Sequence, residues 1–107
     1  MNWKPLTNIQ ELDLIEEQSK TQPQLIFKHS TQCNISADAE EELNKGSVDA
    51  YYLDLLAHRN ISDEIARRYG VTHQSPQVLI IANGACVYHE SHWRIKTPKV
   101  LEQLQNG

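Results

Sequence analysis

Cysteine is scarce in this sequence: two in 107 residues, at positions 33 and 86. That is too few for a disulfide-stapled scaffold, and a separation of 53 positions leaves no Cys-x-x-Cys pair. Long apolar runs are missing too, and no stretch approaches the roughly 18 apolar residues of a membrane helix. The opening Met1-Asn2-Trp3-Lys4-Pro5 lacks the apolar run of a secretory signal. The Asn-x-Ser triplets at Asn34 and Asn60 therefore read as helix-start chemistry, not glycosylation sites, and the expected compartment is the reducing cytoplasm. Basic charge is in deficit, with 10 Lys and Arg against 14 Asp and Glu and a net charge of −4. With no basic patch or apolar span, neither nucleic acid nor a membrane is an expected partner. No repeat, low-complexity tract or Pro/Gly linker divides the chain, so residues 1–107 are expected to form one domain. Hydrophobic residues make up 39%, enough for a modest core.

What is present alternates between helix and strand signals. Thr7 and Gln10 have capping-box spacing, and Ile9, Leu12 and Ile15 recur at helical intervals, which predicts a helix over about 8–20. Leu25-Ile26-Phe27 suits a buried strand over 24–28. After the polar turn His29 to Gln32, a second helix starts at Cys33, carries Ile35, Ala39 and Leu43 on one stripe, and stops at Gly46. A strand through 50–56 leads to a third helix, capped by Asn60 or Ser62, with Ile61, Ile65 and Tyr69 inside and Gly70 as its stop. Val78-Leu79-Ile80-Ile81 predicts a strand over 77–82, and Asn83-Gly84 turns it into a hairpin with 85–89. Thr97 as cap and Pro98 as first residue open the last helix, which buries Val100, Leu101 and Leu104. The order α-β-α-β-α-β-β-α implies an α/β fold with a mixed four-stranded sheet and helices on both faces, the plan of a thioredoxin-like fold.

Cys33 falls between a strand and the first turn of a helix. Leading helix N–H groups lack an intrahelical acceptor and favour a thiolate beside them. Cysteines so placed titrate at ~3.5–7.5 instead of ~8.5. Moving a thiol from ~8.5 to ~6.5 raises the thiolate at pH 7 about 25-fold, but intrinsic nucleophilicity falls about 8-fold, so attack gains only about threefold. The larger benefit comes when such a cysteine leaves a mixed disulfide. The polar run before Cys33 favours an exposed turn; a buried structural cysteine is the alternative. Ser36, three residues on, is either a hydrogen-bond donor to the thiolate or an ordinary first-turn serine. In neither role can it attack a disulfide as a second cysteine would.

Pro76 opens the most apolar strand, a position that tolerates its missing N–H. A cis Ser75–Pro76 bond would free the Ser75 backbone to pair with an extended substrate; an ordinary trans turn is the alternative. Cys-x-x-Ser at a helix start, with a proline 43 residues later, resembles a thioredoxin, as do Tyr69-Gly70-Val71, Ser75-Pro76-Gln77-Val78-Leu79-Ile80-Ile81 and Asn83-Gly84. More narrowly, Phe27-Lys28-His29-Ser30-Thr31-Gln32-Cys33-Asn34-Ile35-Ser36 resembles the signature of YtxJ-like monothiol bacilliredoxins. The resemblance covers nearly the whole chain. It implies a thiol-disulfide oxidoreductase that removes bacillithiol from S-bacillithiolated client proteins. Cys33 would be the nucleophile, with Thr31, Asn34 and Ser36 supporting it and Ser75 and Pro76 lining the groove. Bacillithiol would be co-substrate, with no tightly bound cofactor. That family often has proline where Asn34 stands. Dithiol thioredoxins place a buried acid where Phe27 stands, and its absence fits a monothiol enzyme.

Other residues carry weaker readings. Cys86 reads as structural, with a resolving partner for Cys33 as the alternative. Of the five histidines, His29 stands four before Cys33, but no metal-ligand spacing completes a site. Trp93 is expected either to pack beside a bound thiol or to cap the core, with Arg94 or Lys96 reaching the thiol's carboxylates. Glu40-Glu41-Glu42 reads as a solvated helix face. Two other function classes stay open: a non-catalytic thioredoxin-fold adaptor with Cys33 inert, and an iron–sulfur carrier like monothiol glutaredoxins. The latter use Cys-Gly-Phe-Ser, whose central residues Asn34 and Ile35 do not match.

Overall fold

The computed structural model describes residues 1–106. In chain order the elements are β1 (Asn2–Pro5), α1 (Gln10–Ser19), β2 (Gln24–His29), α2 (Asn34–Leu43), β3 (Asp49–Asp54), α3 (Arg59–Tyr69), β4 (Gln77–Ala82), β5 (Ala85–Ser91), a 3₁₀ turn (His92–Arg94) and α4 (Thr97–Asn106). One sheet has the strand order β1-β3-β2-β4-β5. β1, β3 and β2 run parallel; β4 is antiparallel to both β2 and β5.

Strand alternation sorts the interior into two layers. Ile26, Leu53, Leu79 and Ile81 pack with Leu12 and Ile15 of α1 and Ile61 and Ile65 of α3. Leu25, Phe27, Val78 and Ile80 pack with Ala39 and Leu43 of α2 and Val100 of α4. All six residues of β4 are buried because helices cover both sides of it, which is why its sequence is an unbroken apolar run from Val78 to Ala82. The turn Asn83-Gly84 has φ of 52° and 75°, the doubly left-handed geometry that suits Asn-Gly. The end of α1 pins it, because the N–H groups of Asn83 and Gly84 donate to the carbonyl and Oγ of Ser19.

The sheet has five strands, not four. β1 shows no sequence period, since only Trp3 of its four residues is even half-buried. It exists because β3 offers a free edge: Asn2 N–H donates to the Val48 carbonyl and Leu6 N–H to that of Tyr52, both at 2.9 Å. Trp3 then lies 5.5 Å from the rings of both Phe27 and Tyr52.

Three helix starts differ from the sequence expectation. The capping box of α1 is Asn8 with Glu11: Asn8 Oδ1 accepts the Glu11 N–H at 3.1 Å, and Glu11 Oε1 accepts those of Asn8 and Thr7. A carboxylate outcompetes the Gln10 amide because its charge also suits the helix N-terminus. Helix α3 starts at Arg59, after His58, with no side-chain cap, so neither Asn60 nor Ser62 caps it; Ser62 is buried one turn in. Thr97 lies within α4 and spends its groups on α2: its N–H donates to Glu42 Oε2 at 2.9 Å, and its hydroxyl donates to the Glu42 carbonyl.

Glu42 thereby holds α4, and Lys45, then the Thr97 N–H, push its carboxyl down to about 2. A folded-state value below the unfolded one stabilises above pH ~4.5, and that contribution is lost as pH falls toward 2. Glu42→Ala is expected to lower unfolding free energy by about 1 kcal/mol at pH 7 and by less at pH 3, read from urea titrations.

Candidate active site

The site forms where β2 ends. Adjacent strand residues face opposite layers, so Lys28 points toward α3 and His29 toward α2. The chain then turns, with the Cys33 N–H donating to the Ser30 carbonyl at 3.1 Å. Cys33 is extended (φ −116°, ψ 121°) and α2 starts at the next residue. Its carbonyl accepts the Ala37 N–H, so the N–H groups of Asn34, Ile35 and Ser36 precede the first helical bond. The thiol is half-exposed and makes no capping hydrogen bond. It sits at the helix mouth, open to a partner from solvent. Thr31 and Asn34 are exposed on either side of it.

Ser36 is fully buried and its hydroxyl is already engaged. Oγ accepts the Ser30 N–H at 2.9 Å and lies 2.9 Å from His29 Nδ1. It makes no bond to the Cys33 sulfur; its link to the turn is the bond from the Ser30 N–H. On the other side of the His29 ring, Nε2 is 3.6 Å from Glu40 Oε2. Tyr52 lies 5.2 Å from that ring; burial, then Glu40 and Asp54, push its hydroxyl up to about 12. Glu40 and Glu42 thus have protein partners, and only Glu41 of the acidic run is fully solvated. From the sequence, His29 suggests only a metal ligand. The available signal was its spacing: the last residue of a strand, seven before a serine in the first turn of a helix.

The facing wall is the loop into β4. Ser75–Pro76 is cis, and Ser75 Oγ is buried with no hydrogen-bond partner. The Pro76 carbonyl accepts the His92 N–H at 3.0 Å. His92 is left-handed at φ 54°, a conformation costly for a residue with a side chain, and it starts the 3₁₀ turn that packs on α2. Trp93 follows, 62% exposed, so it does not cap the core. Cys33, Pro76 and Trp93 therefore sit on segments that meet at one end of the sheet; Arg94 and Lys96 are exposed nearby in sequence. Lys28 ties this loop from below, with Nζ 3.4 Å from both His73 Nδ1 and the Ser62 carbonyl.

Cys86 belongs to the opposite end. It pairs with Ile81, five residues along β4 from Pro76, about 16 Å at strand rise. Its Sγ donates to the Tyr88 carbonyl, and burial pushes its pKa up, so it suits packing better than exchange. Both cysteines are free. A polar cleft of about 780 Å³ also opens away from the thiol, among Gln18, Gln24, Asp49 and Tyr51, and contributes nothing to sulfur chemistry.

Comparison with known proteins agrees with this arrangement. A solved thioredoxin-fold structure, described as a candidate oxidoreductase, superposes with TM-score 0.85 at 31% identity, covering 94% of this chain and 91% of its own. Fasciola hepatica thioredoxin superposes with TM-score 0.72 at 16% identity, covering 99% and 98%, and shares the fold. Mitochondrial thioredoxin 3 of Saccharomyces cerevisiae does likewise, with TM-score 0.70 at 14% identity over 97% and 94%. The family described as monothiol bacilliredoxin BrxC matches residues 4–100. With one half-exposed thiol at the mouth of α2 on a thioredoxin fold, this chain is a thiol oxidoreductase of the monothiol bacilliredoxin family.

Proposed function

We propose that this protein removes bacillithiol from mixed disulfides on client proteins in the cytoplasm. The observation that carries the reading is a single half-exposed thiol at the mouth of α2, with a buried serine where a second thiol would stand. In the first step the Cys33 thiolate attacks the bacillithiol sulfur. The client S–S bond breaks, a Cys33–bacillithiol disulfide forms, and the client leaves as a thiolate that takes a proton from solvent. A second bacillithiol then attacks its own kind on Cys33, forming bacillithiol disulfide and returning Cys33. No internal thiol competes, since Ser36 cannot form a disulfide. Trp93 offers an apolar face beside the adduct.

The test presents one client protein carrying either bacillithiol or glutathione and follows client release by mass spectrometry. Release from the bacillithiol adduct is expected to be at least about tenfold faster, roughly 1.4 kcal/mol of discrimination. Equal rates on the two adducts would remove the bacillithiol assignment and leave a general thiol reductase.

A further inference from the structure

His29 lies beneath the turn that carries Cys33, 5% exposed, and the exchange steps give it no task. Its hydrogen bonds assign it one. A backbone N–H can only donate, so Ser36 Oγ is the acceptor for Ser30 at 2.9 Å. The Glu40 carboxylate lies 3.6 Å from Nε2, too far for a hydrogen bond, but its negative charge favours the imidazole proton on that nitrogen. Nδ1 is left as a lone pair, and the Ser36 hydroxyl proton points to it at 2.9 Å. The Ser30 carbonyl in turn holds the Cys33 N–H at 3.1 Å. The chain of hydrogen bonds runs from His29 through Ser36 and Ser30 to Cys33, with the Glu40 carboxylate beyond the far ring nitrogen, and every one of these residues is buried or half-buried.

We propose that His29 is a positioning residue for Cys33: its Nδ1 lone pair orients the Ser36 hydroxyl, which holds the Ser30–Cys33 turn in attacking geometry. At 5% exposure it does not touch substrate, so its action is through the turn. Asp54 is its register partner on β3, and the Tyr52 ring lies against its own; neither bonds Nδ1. The inference rests on Cys33 being the nucleophile but not on the identity of the thiol it removes.

The experiment measures Cys33 alkylation by iodoacetamide at pH 7 in a Cys86→Ser background, for His29→Leu, His29→Asn, Ser36→Ala and the double variant His29→Leu/Ser36→Ala. Each of His29→Leu and Ser36→Ala is expected to slow alkylation about tenfold, the scale of a small misplacement. The double variant is expected to be no slower than Ser36→Ala alone, because both break one chain. His29→Asn supplies an amide oxygen near the Nδ1 position and is expected to recover to within about threefold of the parent. Losses that multiply in the double variant, unchanged single variants, or Asn no better than Leu would overturn the proposal. Nitrogen-15 NMR of the unmutated protein covers variants that fail to fold: the Nε2–H tautomer is expected, and a proton on Nδ1 at pH 7 would overturn it. Iodoacetamide involves no bacillithiol, so these results and the choice of thiol stand or fall separately.

Discussion

Cys33→Ser is expected to abolish thiol–disulfide exchange, with a loss on the order of 10⁴–10⁶-fold, the scale seen when an enzyme's nucleophile is removed. The reason is chemical, not structural. A serine hydroxyl does not ionise at neutral pH and forms no disulfide, so the first step has no attacking atom. The thiol is half-exposed at an N-cap and makes no capping bond, so its replacement leaves the packing intact. Serine is itself a favoured N-cap, so the thermal midpoint should hold or rise slightly. Cys86→Ser, at the far end of the hairpin, is expected to leave the exchange rate within about twofold. Reduction of a small-molecule mixed disulfide, followed spectroscopically for the three proteins, checks both. Retention of more than about a tenth of the rate in Cys33→Ser would remove Cys33 as nucleophile. A comparable loss in Cys86→Ser would bring the second thiol into the mechanism.

Lys28→Met is expected to raise stability at pH 7 by about 2 kcal/mol or more, an unusual gain for removing a charge. Lys28 is fully buried, and its hydrogen-bond partners are a carbonyl and an imidazole nitrogen at 3.4 Å, neither of them a counter-ion. Burial lowers its pKa to about 8, with Asp63 only partly offsetting the loss of solvent. Because the folded value lies below the unfolded one, the unfolded chain binds more protons between pH ~8 and ~10.5, so stability climbs across that window. Below pH 8 the full cost of the buried ammonium is present. Methionine matches the volume without the charge, which should remove the climb and raise the plateau beneath it. Part of the gain is returned because the Ser62 carbonyl and His73 lose a donor. Urea unfolding of both proteins at pH 7 and pH 10 reads the effect; parallel stability against pH in the two would disprove it. The same substitution unties His73, so the loop before Pro76 should exchange amide hydrogens faster even as the fold gains stability.

Much of the site was readable in the sequence because it is local. A cysteine after a strand and before an apolar helical stripe has to sit at a helix mouth, and that relation needs no tertiary contact. Pro76 before Val78-Leu79-Ile80-Ile81 marked the facing wall for a similar reason, since a strand that central tolerates proline only at its first residue. The partners of Ser36 were not readable. Its proton and lone pair go to His29, seven residues back, and to Ser30 across the turn, and only the packing of α2 on β2 decides that. The acidic run shows the same limit: Glu40 and Glu42 look like a solvated face until β2 and α4 are placed beside them.

The sequence by itself determined the α/β order, the two buried central strands, the Asn83-Gly84 turn and the place of Cys33 at a helix mouth, because each follows from a period or a backbone preference. Only the tertiary structure decided the fifth strand, the caps and the buried links through Lys28 and His29. Those depend on which groups lie across space from one another, and a polar group released from water takes whichever partner the fold brings within reach.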